Sequence, residues 1–237
     1  MESIRLNAYI ASCGQYSRRA ADRLIEEGRV SVNDAPASLG MRISDDDTVK
    51  IDGAVISPKK ERVFVAVNKP IGVVCTEAHF KGEKTLQDLI DYPSRLFSIG
   101  RLDKASEGLI LMTNDGAAAE EISRSKNNYE KEYEVRVNKP INVDFINKMR
   151  DGVEIEIDGK LYLTKKCRVK KTGVDTFNII LTQGLNRQIR RMCETLGYRV
   201  LALKRTRVSN IKLAGLNTGT YRRLREDEVS ELVGKEN

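Results

Sequence analysis

The sequence predicts an α+β protein in two parts, a small basic N-terminal module and a larger body of strands interleaved with helices. Three observations carry that reading. The first sixty residues hold two short helical patterns followed by short strand patterns. A polar stretch around Ser57–Arg62 contains Pro58 and reads as a linker. From Val63 onward, apolar strand runs alternate with helical patterns and glycine turns. At 237 residues the chain has material for one good-sized domain plus a small one. The expected boundaries are 1–57 for the module, 58–62 for the linker and 63–237 for the body.

Composition narrows the chemistry. Forty-one Lys+Arg against 34 acidic residues give a net charge of +7, which favours nucleic acid or an anionic membrane as partner. Yet no apolar run is long enough to cross a bilayer, and Met1–Leu6 carries no apolar leader core, so neither a membrane nor secretion is expected. Cys13, Cys75, Cys167 and Cys193 are scattered without a Cys-x-x-Cys pair. The single histidine, His79, has no partner at metal-ligand spacing. A zinc site, a disulfide framework and a Ser-His or Cys-His pair are therefore not expected. What remains is a cytoplasmic protein with reduced thiols, whose available chemistry is carboxylates and cations.

Within the first sixty residues, Arg5–Cys13 places Leu6, Tyr9, Ile10 and Cys13 at helical spacing and stops at Gly14. Ser17 caps a second helix over 18–27 that ends at Gly28, with Ala20, Ala21, Leu24 and Ile25 on its apolar face. Arg29–Val32 and the Asn33-Asp34 turn begin short strands, and Asp52-Gly53 between two apolar runs is a strong hairpin signal. Arginine clusters neutralise phosphates without reading sequence, although charge alone fits a solvated helix face equally well. The phrases Arg5-Leu6, Ser17-Arg18-Arg19-Ala20, Ile25-Glu26-Glu27-Gly28-Arg29-Val30 and Val32-Asn33 resemble the S4 RNA-binding domain. That resemblance makes Arg18, Arg19 and Arg29 candidate RNA contacts.

The body opens with the apolar run Val63–Val67 and a Lys69-Pro70-Ile71-Gly72 turn, where Lys69 is a candidate phosphate contact. Next, an apolar approach (Leu96, Phe97, Ile99) leads into Gly100, and a strand-like run over 109–112 leaves Gly108. Between these glycines sits a charged loop, Arg101-Leu102-Asp103-Lys104. Loops held between buried strands concentrate binding and catalytic groups. In an extended loop Arg101 and Asp103 project to one side, and a cation beside a carboxylate favours its ionised form. A structural ion pair in a turn accounts for the same two residues.

Gly116–Arg124 suits a helix. In the strand over 129–137, Lys131, Tyr133, Val135 and Val137 share one face. A strand tyrosine is usually core, yet its phenol needs a hydrogen-bond partner and its ring offers a base a stacking surface. Lys165–Lys171 is a basic run that fits a solvated strand and turn or an extended phosphate surface. Phe177–Thr182 reads as a strand, Gln183-Gly184 as a turn, and Arg187–Leu196 as a helix ended by Gly197. Arg187, Arg190 and Arg191 crowd the start of that helix, where cations oppose the macrodipole unless an anion is recruited. A further strand over 203–208 and a tight turn precede a short acidic helix from Glu226.

Together, Gly100-Arg101-Leu102-Asp103, Ser106-Glu107-Gly108-Leu109 and Thr113-Asn114-Asp115-Gly116 resemble the signature of ribosomal RNA pseudouridine synthases, closest to the branch with an N-terminal S4 module. Lys69-Pro70-Ile71-Gly72, Lys131-Glu132-Tyr133 and the run from Gly184 to Met192 resemble further motifs of that family, and so do the strand over 203–208 and Gly215–Leu224. The resemblance implies the pseudouridine synthase fold, a mixed, mainly antiparallel sheet flanked by helices. It implies Asp103 as catalytic residue and Tyr133 as the ring that packs on the target base. It further implies RNA contacts from Arg101, Leu102, Lys104, Arg187, Gln188, Ile189 and Arg190, with Arg101 a candidate to occupy the space of the flipped base. Many relatives carry Arg or Lys directly after the glycine matched by Gly184, as ion partner of the aspartate. Here Leu185 stands there, leaving Arg187, Arg190 and Arg101 as alternatives.

The expected function is isomerisation of a uridine in ribosomal RNA, the 23S large-subunit RNA above all, by a monomer without metal, nucleotide or organic cofactor. A tRNA anticodon-loop uridine is the alternative substrate. A non-catalytic S4-type ribosome-assembly factor is the alternative class.

Overall fold

The computed structural model describes residues 3–58, 61–76, 82–124 and 127–234. His79 and the two chain ends weighed above lie outside them. The chain divides into two compact units, Met1–Val63 with Tyr92–Phe97 and Thr113–Ala117, and Phe64–Asp91 with Ser98–Met112 and Ala118–Asn237.

In the first unit, helices α1 (Leu6–Ser12) and α2 (Arg18–Glu26) precede strands β1 (Val30–Val32), β2 (Ala35–Pro36), β3 (Val49–Ile51) and β4 (Ala54–Val55). Ser17 caps α2 as expected, its Oγ accepting from the Ala20 N–H at 3.1 Å. Leu6 and Ile10 of α1 meet Ala21, Leu24 and Ile25 of α2 over Val30, Val32, Val49 and Ile51. Each fully buried Leu, Ile or Val side chain contributes roughly 1.5–3 kcal/mol. Asn33-Asp34 and Asp52-Gly53 all have positive φ, the requirement of two-residue hairpin turns, and they join β1 to β2 and β3 to β4.

The second unit is built on a mixed sheet. Its strands are β5 (Phe64–Lys69), β6 (Glu107–Thr113), β7 (Lys131–Val137), β10 (Arg168–Lys171), β11 (Thr176–Leu181), β12 (Val200–Val208) and β13 (Tyr221–Arg223), in the order β10-β11-β7-β12-β6-β5-β13. The short strands Phe97–Ile99 and Ile211–Lys212 pair onto β6 and β12. β7 is antiparallel to β11 and β12, β10 to β11, and β13 to β5, whereas β6 and β12 run parallel. The helices are α3 (Gly116–Ser123), α4 (Val143–Asp151), α5 (Gln188–Thr195) and α6 (Glu226–Val233). Phe145 and Met149 of α4 and Ile189, Met192 and Cys193 of α5 pack on Val135, Phe177, Ile179 and Leu203 of the sheet. Among the described residues no helix is long and apolar enough to cross a membrane.

Two local features position the site. The parallel pairing of β6 and β12 sets Gly108 opposite Arg205. A Cβ on Gly108, whose φ is +103°, would lie 2.3 Å from the Arg205 carbonyl oxygen, so only glycine permits this approach. Between Glu132 and Tyr133 the β7–β12 register slips, an irregularity of the kind that re-aims side chains beside functional sites. The sequence reading assigned nothing to 138–164, where α4 and a hairpin of β8 (Glu154–Ile157) and β9 (Lys160–Leu163) form. The basic run at 165–171 is in part β10, an edge strand with Arg168, Lys170 and Lys171 exposed, as charged edge strands usually are.

Candidate active site

The charged loop ahead of β6 is held at several points. The Ser106 N–H donates to the Asp103 carbonyl at 3.0 Å, the Gly72 N–H to the Lys104 carbonyl at 2.8 Å, and the Leu102 N–H to Cys75 Sγ at 3.4 Å. Leu102 and Ser106 are buried. Asp103 between them keeps its side chain 34% exposed.

α5 approaches that carboxylate with its first turn. Arg187, just before the helix, has a left-handed backbone with φ +50°, uncommon for a residue with a Cβ. Gln188 fixes the geometry, its Oε1 accepting from the Leu185 N–H at 3.1 Å. Arg187 Nη1 lies 3.9 Å and Arg190 Nε 3.8 Å from Asp103 Oδ2, distances that balance charge without a hydrogen bond. Of the three cations open in the sequence, these two face Asp103, while Arg101 is exposed and forms no ion pair with it among the described residues.

Arg190 departs from the reading that placed it with the RNA-contacting surface. It is buried, donating from Nη2 to the Ala105 carbonyl at 2.9 Å and Ser106 Oγ at 3.2 Å, and from Nη1 to the Val200 carbonyl at 3.4 Å. Its enclosed Nε has no hydrogen-bond partner among the described residues. Burial, then the Arg187 charge, lowers the Arg190 pKa, and Asp103 partly restores it.

A cleft of about 160 Å³ opens beside Asp103. Its lining brings together Arg101, Leu102, Tyr133, Arg187, Gln188 and Ile189 from the sequence-predicted set, with Leu185 in the wall. Asp103 is the one carboxylate among the lining residues, which include the cations Arg101, Lys131, Arg187 and Arg205. The Tyr133 ring packs against the core, and its hydroxyl has no hydrogen-bond partner among the described residues.

Several predicted residues lie elsewhere. Lys104 is exposed and pairs with Glu83 at 2.9 Å. Lys69 is no phosphate contact. It is 0% exposed and donates to the Pro70 and Val73 carbonyls at 2.9 and 2.7 Å, and burial lowers its pKa. In the first unit, Arg18 and Arg19 are exposed, whereas Arg29 is held by Asp52 at 2.6 Å and Glu27 at 3.3 Å. Lys131 and Arg205 line the cleft but were not among the predicted residues. For Lys131 a partial signal was present, since it shares the period-two face of Tyr133. Burial, then the Arg205 charge, pushes the Lys131 ammonium down to about 8.

A cleft with one carboxylate, an aromatic wall and a ring of cations suits chemistry on a polyanion that carries flat bases. Comparison with known proteins names the class. Residues 63–195 match the family of RNA pseudouridylate synthases, and residues 4–49 match the S4 domain. The chain therefore belongs to the RNA pseudouridine synthase family, as an enzyme with an N-terminal S4 domain.

Its relatives sharpen the placement. It is 46% identical over 233 residues to the dual-specificity RNA pseudouridine synthase RluF of Escherichia coli (strain K12), across 97% of this chain and 78% of that protein. It is 34% identical to the ribosomal large subunit pseudouridine synthase B of Bacillus subtilis (strain 168), across 96% of this chain and 95% of that one. A solved crystal structure of a pseudouridylate synthase superposes with a TM-score of 0.72 at 28% identity, covering 97% of this chain and all of that one.

Proposed function

We propose that the Asp103 cleft isomerises one uridine of 23S large-subunit ribosomal RNA, with Asp103 as the catalytic carboxylate and Tyr133 packing on the target base. The observation that carries this reading is the placement of a single carboxylate among cations that do not hydrogen-bond it. Forming pseudouridine breaks the N1–C1′ bond, turns the free uracil, and joins C5 to C1′. A carboxylate that works at the sugar needs free lone pairs, and one tied into a bidentate salt bridge would lack them. Arg187 and Arg190, just under 4 Å away, stabilise the charge while leaving those lone pairs open.

The base must leave its stack to reach this depth. Tyr133 offers the ring on which it stacks, and Leu102, Gln188 and Ile189 complete the walls. Exposed Arg101 and Arg187 suit the flanking phosphates, Arg101 being also the residue to fill the vacated space, and Lys104 reaches phosphate on release from Glu83. Arg190 acts through Asp103 as a positioning residue. Arg18, Arg19 and Arg29 serve the same RNA from the N-terminal module, over proposed boundaries of 1–57, 58–62 and 63–237. A cytoplasmic monomer is the proposed working form, in keeping with four free cysteines. That the Escherichia coli relative is a dual-specificity enzyme supports a second RNA substrate, for which a tRNA anticodon-loop uridine is proposed.

The test is pseudouridine mapping by carbodiimide-dependent primer-extension stops on RNA from cells with the gene, without it, and complemented by Asp103→Asn. One site in large-subunit RNA should disappear with the gene and stay absent with Asp103→Asn, while that variant binds RNA with near-normal affinity. Full modification by Asp103→Asn would refute the role of Asp103. No change at any RNA position would refute the substrate.

A further inference from the structure

We infer that Arg205 is a substrate-recognising residue whose unused N–H groups hold a carbonyl oxygen of the target uracil while its glycosidic bond is broken and re-formed. The inference rests on the reading of the Asp103 cleft as the active site and goes beyond it, to the group that holds the detached base.

Arg205 is 3% exposed and lines the cleft. One nitrogen is used, Nε donating to the Leu109 carbonyl at 2.6 Å. Neither terminal nitrogen donates to any acceptor among the described residues, and Nη2 is fully enclosed. Desolvating charged donors without an acceptor is costly, so such groups usually mark a place where an acceptor arrives. Lys69, Cys75 and Lys131 are neighbours that feel the Arg205 charge, and none of them accepts a hydrogen bond from it, so the acceptor would come from the cleft that Arg205 lines.

Position selects the acceptor. Arg205 stands directly opposite Tyr133 in the β7–β12 pairing, one strand across from the ring on which the base stacks. A guanidinium beside a stacking ring faces the edge of a stacked base, where uracil presents O2 and O4. Phosphates belong nearer the exposed arginines, Arg101 and Arg187. The donor is also rigid. Gly108 lets β6 approach so closely that the Arg205 backbone is fixed, and the Leu109 carbonyl holds Nε.

The chemistry fits a fixed donor. When N1–C1′ breaks, the bond pair leaves on uracil, and the negative charge spreads over N1, O2 and O4. The sugar carbon is left electron-poor beside Asp103. Turning the ring by half a revolution about its N3–C6 axis exchanges N1 with C5 and O2 with O4. One donor therefore meets a carbonyl oxygen both before and after the turn. C5 then bonds to C1′, its proton is lost, and N1 gains one, so the net reaction is an isomerisation. A preorganised cation at that oxygen stabilises the anion between the two bonds.

The test uses the full-length chain and synthetic RNA spanning the uridine identified by the mapping above, with uridine, 2-thiouridine or 4-thiouridine at that position. Arg205→Lys retains the charge and can still donate to Leu109, but loses the terminal fork. Its single-turnover rate on the uridine RNA should fall by about 100-fold, the usual effect of removing one such donor, with RNA affinity within about twofold of wild type. Sulfur accepts hydrogen bonds poorly, so thio-substitution should slow wild type by about fivefold or more, and Arg205→Lys by less than about twofold. Full turnover by Arg205→Lys, or an undiminished thio effect in it, would overturn the inference while an inactive Asp103→Asn left the cleft reading standing. A fully active Asp103→Asn, or no site in the mapping, would remove the cleft reading and this inference with it. Should Arg205→Lys not fold, wild type decides. Full rates on both thio-RNAs overturn the inference, and slowed rates support it.

Discussion

Arg187 offers a substitution in which stability and activity should part company. Its backbone is left-handed, with φ +50°, and a residue with a Cβ is held there at a cost of roughly 1–2 kcal/mol. Its guanidinium faces Asp103 at 3.9 Å with 44% of the side chain exposed, so the ion pair contributes only about 0–1 kcal/mol to folding. Arg187→Ala removes the ion pair and keeps the strain; Arg187→Gly removes both. Because glycine also gains freedom in the unfolded chain, by roughly 0.5–1 kcal/mol, the glycine variant should exceed the alanine variant by about 1.5 kcal/mol at most. In a chain of this length that is at most about 3–6 °C in midpoint. Both should lose turnover alike, because both remove the same cation from Asp103. Thermal unfolding followed by circular dichroism, beside single-turnover rates on the mapped RNA, decides the matter. An alanine variant more stable than the glycine one would refute the strain argument. Wild-type turnover in either would refute the role of the charge.

Two further substitutions probe neighbouring parts of the cleft. The Lys131 ammonium, held near 8 against the usual 10.5, loses its proton in the folded protein before it does in the unfolded one. Between about pH 8 and 10.5 the unfolded state therefore binds more protons, and stability rises with pH across that window. Lys131→Met should raise the midpoint at pH 7 and flatten that rise; calorimetry showing a lower midpoint and an unchanged slope would contradict it. Gly108→Ala would drive a methyl group to 2.3 Å from the Arg205 carbonyl oxygen. It should cost more than about 3 kcal/mol, and a urea midpoint equal to wild type would show that β6 and β12 do not approach this closely.

How much of this was legible in the sequence depends on how local each determinant is. The turns at Asn33-Asp34 and Asp52-Gly53 and the Ser17 cap are set by the residues that form them, and each stands where it was expected. The hairpin at Asp158-Gly159 and the Asn142 cap of α4 carry signals of the same kind. Their flanks blur the pattern, because Leu161, Tyr162 and Leu163 are apolar yet exposed, so period-two alternation fails where it would identify β9. The lining of the cleft could be assembled from motifs, but the state of each cation could not. Arg187, Arg190 and Arg191 look equivalent in a helix start. Their fates differ because Arg190 reaches Ala105 and Ser106, some 85 positions away in the chain, while Arg191 bonds outward to Asn186 and Glu156. Lys131 and Arg205 were harder still, since a cation on a strand reads as solvated unless the facing strand is known.

Arg190, Arg205 and the half-buried Lys131 each carry a desolvated charge that folding must offset. Arg190 Nε and Arg205 Nη2 are enclosed without acceptors, and Lys131 is desolvated beside Arg205. Their hydrogen bonds to backbone carbonyls offset that desolvation only in part. A chain that gathers such groups at one cleft is organised for a charge that arrives later. The phosphates of RNA account for the exposed arginines at the mouth, because counterion release acts where backbone and water meet. They do not account for donors this deep. A negative charge that develops on the base itself, and only during the reaction, does.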